Sequence, residues 1–177
     1  MPKGWLKVSA QTWLWLGVAL AVLLVDQLTK LWIMEQFNYG ASEALTGFFN
    51  LVHVHNYGAA FSFLNSEGGW QRWAFSFFAL AVSVVIVVWI GRLSPQKKLE
   101  GCALALILGG ALGNLYDRVT LGYVVDFLDF HWSAVHFPAF NIADTGISVG
   151  ALLMILDGFL NNSPSDQGVD KKVDTDL

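Results

Sequence analysis

Two aspartates in the second half of the chain are the residues best suited to chemistry. Asp126 lies in a polar run, and Asp144 lies early in the apolar segment that follows it. If the connecting loop folds back, the two carboxylates face each other, and at about 4 Å they would repel by roughly 4 kcal/mol, or about three pKa units. Such a pair shares one proton, so that one carboxylate acts as a base on water while the other donates to the scissile carbonyl. Arg118 would partly offset the repulsion, so the sequence leaves the protonation of the pair open.

A structural role for these aspartates is the alternative interpretation. Asp144 could stabilise a helix N-terminus, and Asp126 could pair with Arg118. Catalytic sets of other kinds find little support, because the sequence contains no HExxH motif and has a single cysteine. A Ser/Lys pair would require Lys30 to be free of Asp26.

Metal and cofactor chemistry is not expected. His53 and His55 would share one face of a strand, but no carboxylate motif accompanies them, so a zinc site is not predicted. Cys102 lies inside an apolar run, where a packing role is expected. We therefore expect neither a metal nor another cofactor.

The composition predicts an integral membrane protein. Of the 177 residues, 55% are hydrophobic and only 14% are charged, whereas soluble domains carry about 25% charged residues. The net charge is -4 and no basic cluster is present, so nucleic acid is not an expected partner.

Four apolar segments predict four transmembrane helices. The first is uncharged over residues 9–25 and apolar again over 31–34, which exceeds a signal-peptide core of about 7 to 15 residues, so a retained helix is expected rather than a cleaved leader. The other three segments are residues 73–90, 101–116 and 140–160. Two GxxxG patterns, at 109–113 and 146–150, predict close helix packing.

The remaining segments complete the predicted architecture. Residues 48–56 are β-prone and predict a short sheet at the membrane surface, because the segment is too short to bury its own core. Lys and Arg favour the end that carries both termini, so the termini are expected in the cytoplasm, and the tryptophans divide into belts at both faces. Residues 1–160 are expected to form one membrane domain, followed by a disordered cytoplasmic tail at 161–177.

This topology gathers the polar side chains at the outer side of the membrane. Antiparallel helices alternate in direction, so the end of helix 1, the end of helix 3 and the start of helix 4 share one leaflet. The groups brought together there are Asp26, Lys30, Asn114, Arg118, Asp126, Asn141 and Asp144. Charges at this depth cost about 2.5 to 3.5 kcal/mol each and indicate function. For Asp26 and Lys30, four residues apart, mutual neutralisation is the alternative.

Five short motifs resemble those of bacterial lipoprotein signal peptidase, the signal peptidase II family. They are Asp26 with TK at 29–30, NYGAAF at 56–61, GGALGNLYDR at 109–118, VDF at 125–127 and FNIAD at 140–144. They occur in the family's order, on the expected elements, and show no departure from its pattern. The resemblance covers residues from about 10 to 160 and leaves the acidic tail without a role.

The resemblance implies a four-helix inner-membrane aspartic endopeptidase with a small extracytoplasmic β cradle. Its substrates would be prolipoproteins that carry a diacylglyceryl-modified cysteine, cut just before that cysteine, and globomycin-type peptides would inhibit it. Asp126 and Asp144 would be catalytic. The supporting residues would be Asp26, Asn56, Asn114, Arg118 and Asn141. We expect a monomer in contact with membrane lipid, with the active site near the outer leaflet.

Two other functions are compatible with parts of the sequence. A proton-coupled transporter would also bury Asp and Arg, but it needs polar groups through both leaflets, and on the inner side only Asp157 and helix-terminal charges are present. A subunit of a membrane assembly would use the GxxxG patterns, but it leaves Arg118 and Asp126 unexplained.

Overall fold

The computed structural model describes residues 9–58 and 69–161. The predicted tail after Asn161 and the Ala59, Ala60 and Phe61 positions of the NYGAAF motif lie outside this range. In chain order the elements are α1 Ala10–Gln36, β1 Ser42–Thr46, β2 Phe49–Asn56, α2 Trp70–Arg92, α3 Lys98–Thr120, β3 Val124–Trp132, β4 Val135–His136 and α4 Ile142–Asn161. All four helices are long and apolar enough to cross a membrane, as expected.

The helix α3 occupies the centre of the bundle. It packs against α1, α2 and α4, and it contains the largest share of buried residues among the four helices. Leu104, Ala105 and Leu108 on α3 join Ala19 on α1 and Ile86 on α2 in one buried apolar cluster. The other three helices keep most of their surface exposed, which suits contact with lipid rather than water.

Close approach to α3 depends on its glycines, as the GxxxG pattern predicts. A Cβ added at Gly109 would lie 2.5 Å from the carbonyl oxygen of Ala19, on α1. On the neighbouring face, a Cβ at Gly110 would collide with the carbonyl oxygen of Ala143, on α4. Backbone atoms cannot yield as a flexible side chain can, so both positions need glycine for the helices to meet.

Gly109→Val should therefore destabilise the bundle, because it forces α1 away from α3. We expect a loss of about 1 to 3 kcal/mol, the usual cost of overpacking, measured by thermal unfolding in detergent. Gly91→Val is the matched control, since no atom lies within 4 Å of an added Cβ there. Equal unfolding temperatures for the two variants would contradict the packing role of Gly109.

The sheet has the order β1-β2-β3-β4, with every neighbouring pair antiparallel. Strand β2 matches the predicted β-prone segment, but β1, β3 and β4 were not predicted. Strand β3 places Asp126 opposite Val54 of β2. Buried Val125 and Phe127 pack with Ile33 of α1, so this strand is fixed against the helical bundle. The segment between α3 and α4 was expected to be a connecting loop. Around Asp126 it is instead a strand that packs on the helical bundle.

Candidate active site

Asp126 is almost completely buried, at 2% exposed, and both of its oxygens accept hydrogen bonds from side-chain amides. Asn56 Nδ2, at the end of β2, donates to Oδ2 at 3.0 Å. Asn141 Nδ2, immediately before α4, donates to Oδ1 at 2.7 Å. Amide donors hold the carboxyl group without supplying a formal charge that would neutralise it.

Asp144 lies in the first turn of α4 and shares with Asp126 a contact to the Asn141 side chain. Asn114 Nδ2 on α3 donates to Asp144 Oδ1 at 2.7 Å. The backbone N–H of Asp144 donates to Asn141 Oδ1 at 2.9 Å, so Asn141 caps the helix that carries Asp144. One asparagine side chain therefore bonds the Asp126 carboxyl through its nitrogen and fixes the Asp144 backbone through its oxygen.

The environment of Asp126 favours a bound proton. Burial raises the pKa of Asp126 from 3.8 to about 7, and the Asp144 carboxylate adds to the rise. The hydrogen bonds from Asn56 and Asn141 act in the opposite direction and are too weak to restore the ordinary value. Asp126 is thus able to hold a proton near neutral pH, as one member of an acid/base pair must.

Arg118 lies beside this pair without neutralising it. Its guanidinium donates to the carbonyl oxygens of Asn114 and Gly58, both at 3.2 Å. Within residues 9–58 and 69–161 it forms no salt bridge with Asp126, so the alternative in which these two residues pair is not found. Nε of Arg118 is buried and has no hydrogen-bond partner in that part of the chain. It is a donor available to an incoming acceptor.

A cavity of about 660 Å³ opens between α2, α3 and α4 beside these residues. Asn56, Asn114, Arg118 and Asp144 form its polar end. The rest of the wall is largely apolar and includes Phe75, Phe78, Val82, Ile107, Ala111 and Ile147. The cavity can therefore take a ligand that has a polar group at one end and a long apolar part.

Asp26 lies beside this site and contacts the segment that carries Asp144 through a backbone N–H, not through the Asp144 side chain. Its Oδ1 accepts from the backbone N–H of Ala143 at 2.8 Å, and its Oδ2 lies 2.8 Å from Lys30 Nζ. The predicted ion pair between Asp26 and Lys30 is therefore present, but Lys30 has other partners as well. Lys30 also contacts Asp117 Oδ2 at 2.8 Å and donates to Asn114 Oδ1 at 3.0 Å, so it is not available for a Ser/Lys pair.

The structure brings the seven predicted site residues together. Lys30 was predicted there only as a partner of Asp26, whereas Asp117 and Gln27 were missed. Asp117 is 1% exposed, and Gln27 Nε2 donates to its Oδ1 at 2.9 Å. A signal was available, since Gln27, Lys30 and Asp117 lie at helical spacing beside predicted site residues. Their joint role depends on the contact between α1 and α3, which spacing does not give.

The two histidines of β2 form a separate group. His53 donates from Nδ1 to the carbonyl oxygen of Phe37 at 2.8 Å, and the Nε2 atoms of His53 and His55 lie 3.2 Å apart. Across residues 9–58 and 69–161, no group of three or more metal-ligating side chains is present. Burial lowers the pKa of His55, and the neighbouring His53 lowers it further.

The fold and this site define a class: a polytopic membrane protein with two carboxylates linked by the Asn141 side chain, one buried and one partly exposed at a largely apolar cavity. The family model for signal peptidase (SPase) II matches residues 18–160. The chain belongs to the signal peptidase II family of intramembrane aspartic peptidases, which remove signal peptides from prolipoproteins.

Individual relatives agree with this family. A lipoprotein signal peptidase from Shewanella halifaxensis is 50% identical over 175 residues, which cover 98% of both chains. One from Burkholderia cenocepacia is 56% identical over 143 residues, or 81% of this chain and 86% of the relative. A solved bacterial membrane enzyme structure, obtained by the in meso method, has a TM-score of 0.74 at 29% identity and covers 86% of this chain and 93% of its own.

Proposed function

We propose that Asp126 and Asp144 are the catalytic pair of this peptidase. In this mechanism one carboxylate removes a proton from water, which attacks the scissile carbonyl, while the protonated partner donates to the carbonyl oxygen. The observation that carries the proposal is the Asn141 side chain, which bonds Asp126 at 2.7 Å and caps the turn holding Asp144 at 2.9 Å. The two acids then work as one unit with a shared proton.

The surrounding amides and Arg118 have supporting roles in this mechanism. Asn56, Asn114 and Asn141 orient the two carboxyl groups through the bonds described above. The Arg118 guanidinium, which lines the cavity, would donate to a substrate carbonyl at its polar end. Asp26 acts at one remove, through Lys30 and the start of α4.

The proposed substrates are prolipoproteins whose cysteine carries a diacylglyceryl group, cut just before that cysteine. The apolar part of the cavity would hold acyl chains while the peptide bond lies at the polar end. Globomycin-type peptides would bind at the same place and inhibit. The charge distribution supports an inner-membrane protein with cytoplasmic termini and an active site near the outer leaflet. We further propose that it acts as a monomer, with residues 1–160 as one domain and 161–177 as a disordered cytoplasmic tail.

Selectivity for the lipid-modified precursor tests this function. Purified protein should convert a diacylglyceryl-modified precursor to a faster-migrating product whose first residue, by mass spectrometry, is the modified cysteine. The same precursor without lipid should be cut much more slowly, because it leaves the apolar part of the cavity unfilled. A globomycin-type peptide should block the reaction. Equal rates with and without the lipid would contradict the proposed substrate class.

The pH dependence of turnover is a further expectation. With the Asp126 pKa raised to about 7, the pair loses its shared proton as pH rises through that value, and kcat should fall on the alkaline side.

The same rise in the Asp126 pKa affects stability. Folded protein binds this proton more tightly than unfolded protein, so the contribution of Asp126 to stability is present below pH 4 and is lost as pH rises towards about 7. Initial rates and unfolding temperatures between pH 4 and 9 test both; a flat rate profile would contradict the shared proton.

A further inference from the structure

The site contains a second set of buried charges, of which the mechanism above assigns a role only to Asp26, and only at one remove. Asp26 and Lys30 on α1 and Asp117 on α3 are each no more than 1% exposed, and we refer to them as the buried charge cluster. Lys30 Nζ lies 2.8 Å from a carboxylate oxygen of each aspartate. The cluster is thus one cation held between two anions, away from the cavity wall.

Each carboxylate of this cluster also accepts a hydrogen bond from one particular backbone N–H. Asp26 Oδ1 accepts from Ala143 at 2.8 Å, and Ala143 immediately precedes Asp144. Asp117 Oδ2 accepts from Val125 at 3.3 Å, and Val125 immediately precedes Asp126. Each structural carboxylate therefore holds the backbone directly before one of the two proposed catalytic aspartates.

The bridge through Lys30 connects these two attachments. Lys30 fixes the distance between Asp26 and Asp117, and Gln27 Nε2 reinforces it by donating to Asp117 Oδ1 at 2.9 Å and Asp26 Oδ2 at 3.2 Å. Because the two carboxylates hold the start of α4 and the start of β3, their separation sets the separation of those two backbones. Ion pairs this deeply buried are more informative about geometry than about stability.

We propose that the buried charge cluster sets the spacing between Asp126 and Asp144, with Asp26 and Asp117 as positioning residues and Lys30 as the link between them. This inference rests on the proposed function of the two catalytic aspartates. It assigns the cluster no contact with substrate, since neither Asp26, Lys30 nor Asp117 lines the cavity. The cluster should therefore affect the chemical step more than substrate binding.

Three substitutions at Asp26 test the proposal. Asp26→Asn keeps the length of the side chain but has a single acceptor oxygen, so it cannot both accept from Ala143 and pair with Lys30. Asp26→Glu keeps the charge and both acceptors, but its longer arm shifts them in a site that is already tight, since a Cβ added at Gly113 would lie 2.5 Å from Asp26 Oδ2. Asp26→Ala removes both charge and acceptors. If spacing is what matters, Glu should lose activity although it conserves the charge, and Asn should lose activity although it conserves the length.

The measurement is kcat and KM for the lipid-modified precursor, per mole of folded protein, for the full chain in detergent. We expect kcat to fall roughly 10- to 100-fold for Asp26→Ala and for Asp117→Ala, with KM nearly unchanged, as small misplacements of catalytic groups do. Asp26→Glu and Asp26→Asn should also lower kcat, with KM nearly unchanged. Glu100→Gln is the control, because Glu100 is also buried in α3 but bonds Trp89 instead.

Three outcomes would overturn the proposal: Asp26→Glu with the kcat of the unchanged chain, an Ala variant with that kcat, or a rise in KM alone. If Asp26→Ala does not fold, Asp26→Glu still decides, because it conserves the charge and changes the spacing. Asp144→Asn in the same assay distinguishes failure of this inference from failure of the proposed function. An inactive Asp144→Asn with a fully active Asp26→Glu refutes only the spacing role, whereas an active Asp144→Asn refutes the catalytic pair itself.

Discussion

Replacing Asp144 or Asp126 with asparagine is expected to reduce cleavage by at least roughly 10³-fold, the largest effect on activity in this protein. An amide can neither remove a proton from water nor share one with its neighbour, so either change removes the acid/base pair. Folding should survive, because asparagine is nearly isosteric. Its Oδ1 can still accept from Asn114 Nδ2 at position 144, or from Asn141 Nδ2 at position 126.

A gel shift of the lipid-modified precursor, run with each purified variant, measures this effect. Asp129→Asn is the matched control, because Asp129 lies in the same strand and is buried but bonds Asn50 and His136 away from the cavity. Its activity should remain close to that of the unchanged chain. Unfolding temperatures show whether a silent variant is still folded. Normal turnover by a folded Asp126→Asn or Asp144→Asn protein would contradict the proposed mechanism.

Replacing Lys30 with methionine is expected to have the largest effect on stability. The change leaves Asp26 and Asp117 buried in one cluster without a cation, and breaking such a buried pair typically costs about 3 to 5 kcal/mol. For a membrane protein of this size, that loss should lower the unfolding temperature strongly or prevent recovery of folded protein. The expected loss of stability comes from the uncompensated negative charge and not from a cavity, since methionine fills nearly the same volume as lysine.

Restoring neutrality separates charge from packing in this experiment. Adding Asp26→Asn and Asp117→Asn to Lys30→Met removes all three charges and should regain much of the lost stability. Lys98→Met is the control, because Lys98 is exposed at the start of α3 and forms no salt bridge within residues 9–58 and 69–161. It should unfold near the temperature of the unchanged chain. Failure of the neutral triple variant to recover would show that the cost of Lys30→Met lies elsewhere.

The helices were predictable because hydropathy over a membrane span is a strong signal. Each predicted segment lies within, or within two residues of, an observed helix, and the glycines of α3 make the close contacts expected of them. Polar side chains within those spans were equally visible, since charge is costly there and each occurrence requires a reason. Antiparallel topology then brought Asn114, Asn141 and Asp144 together without any knowledge of their contacts.

The sheet was harder to predict because its strands depend on one another. Strand β1 is exposed along its whole length and contains Glu43 and Ala44, residues with weak β preference, so only pairing with β2 makes it a strand. Strand β3 alternates apolar residues with Asp126 and Asp129, and in sequence these acids resemble a polar connection. The strand forms because its buried face packs on Ile33 of α1, a contact far away in sequence.

The buried charge cluster was missed for a similar reason. Asp26 and Lys30 lie one helical turn apart, which indicates a local pair and hides a third partner. Asp117 completes the cluster only because α1 packs closely against the glycines of α3. Spacing within one helix identifies residues that share a face, but it does not identify the helix against which that face packs.

The double use of Asn141 has a consequence for biosynthesis. Its amide joins Asp126 to the first turn of α4, which follows β3 in chain order and so leaves the ribosome later. Until α4 is made, the inserting chain carries one acid of the proposed pair and lacks both the second acid and the amide that orients the first. Under the proposed mechanism, proteolysis therefore begins only after α4 has entered the bilayer.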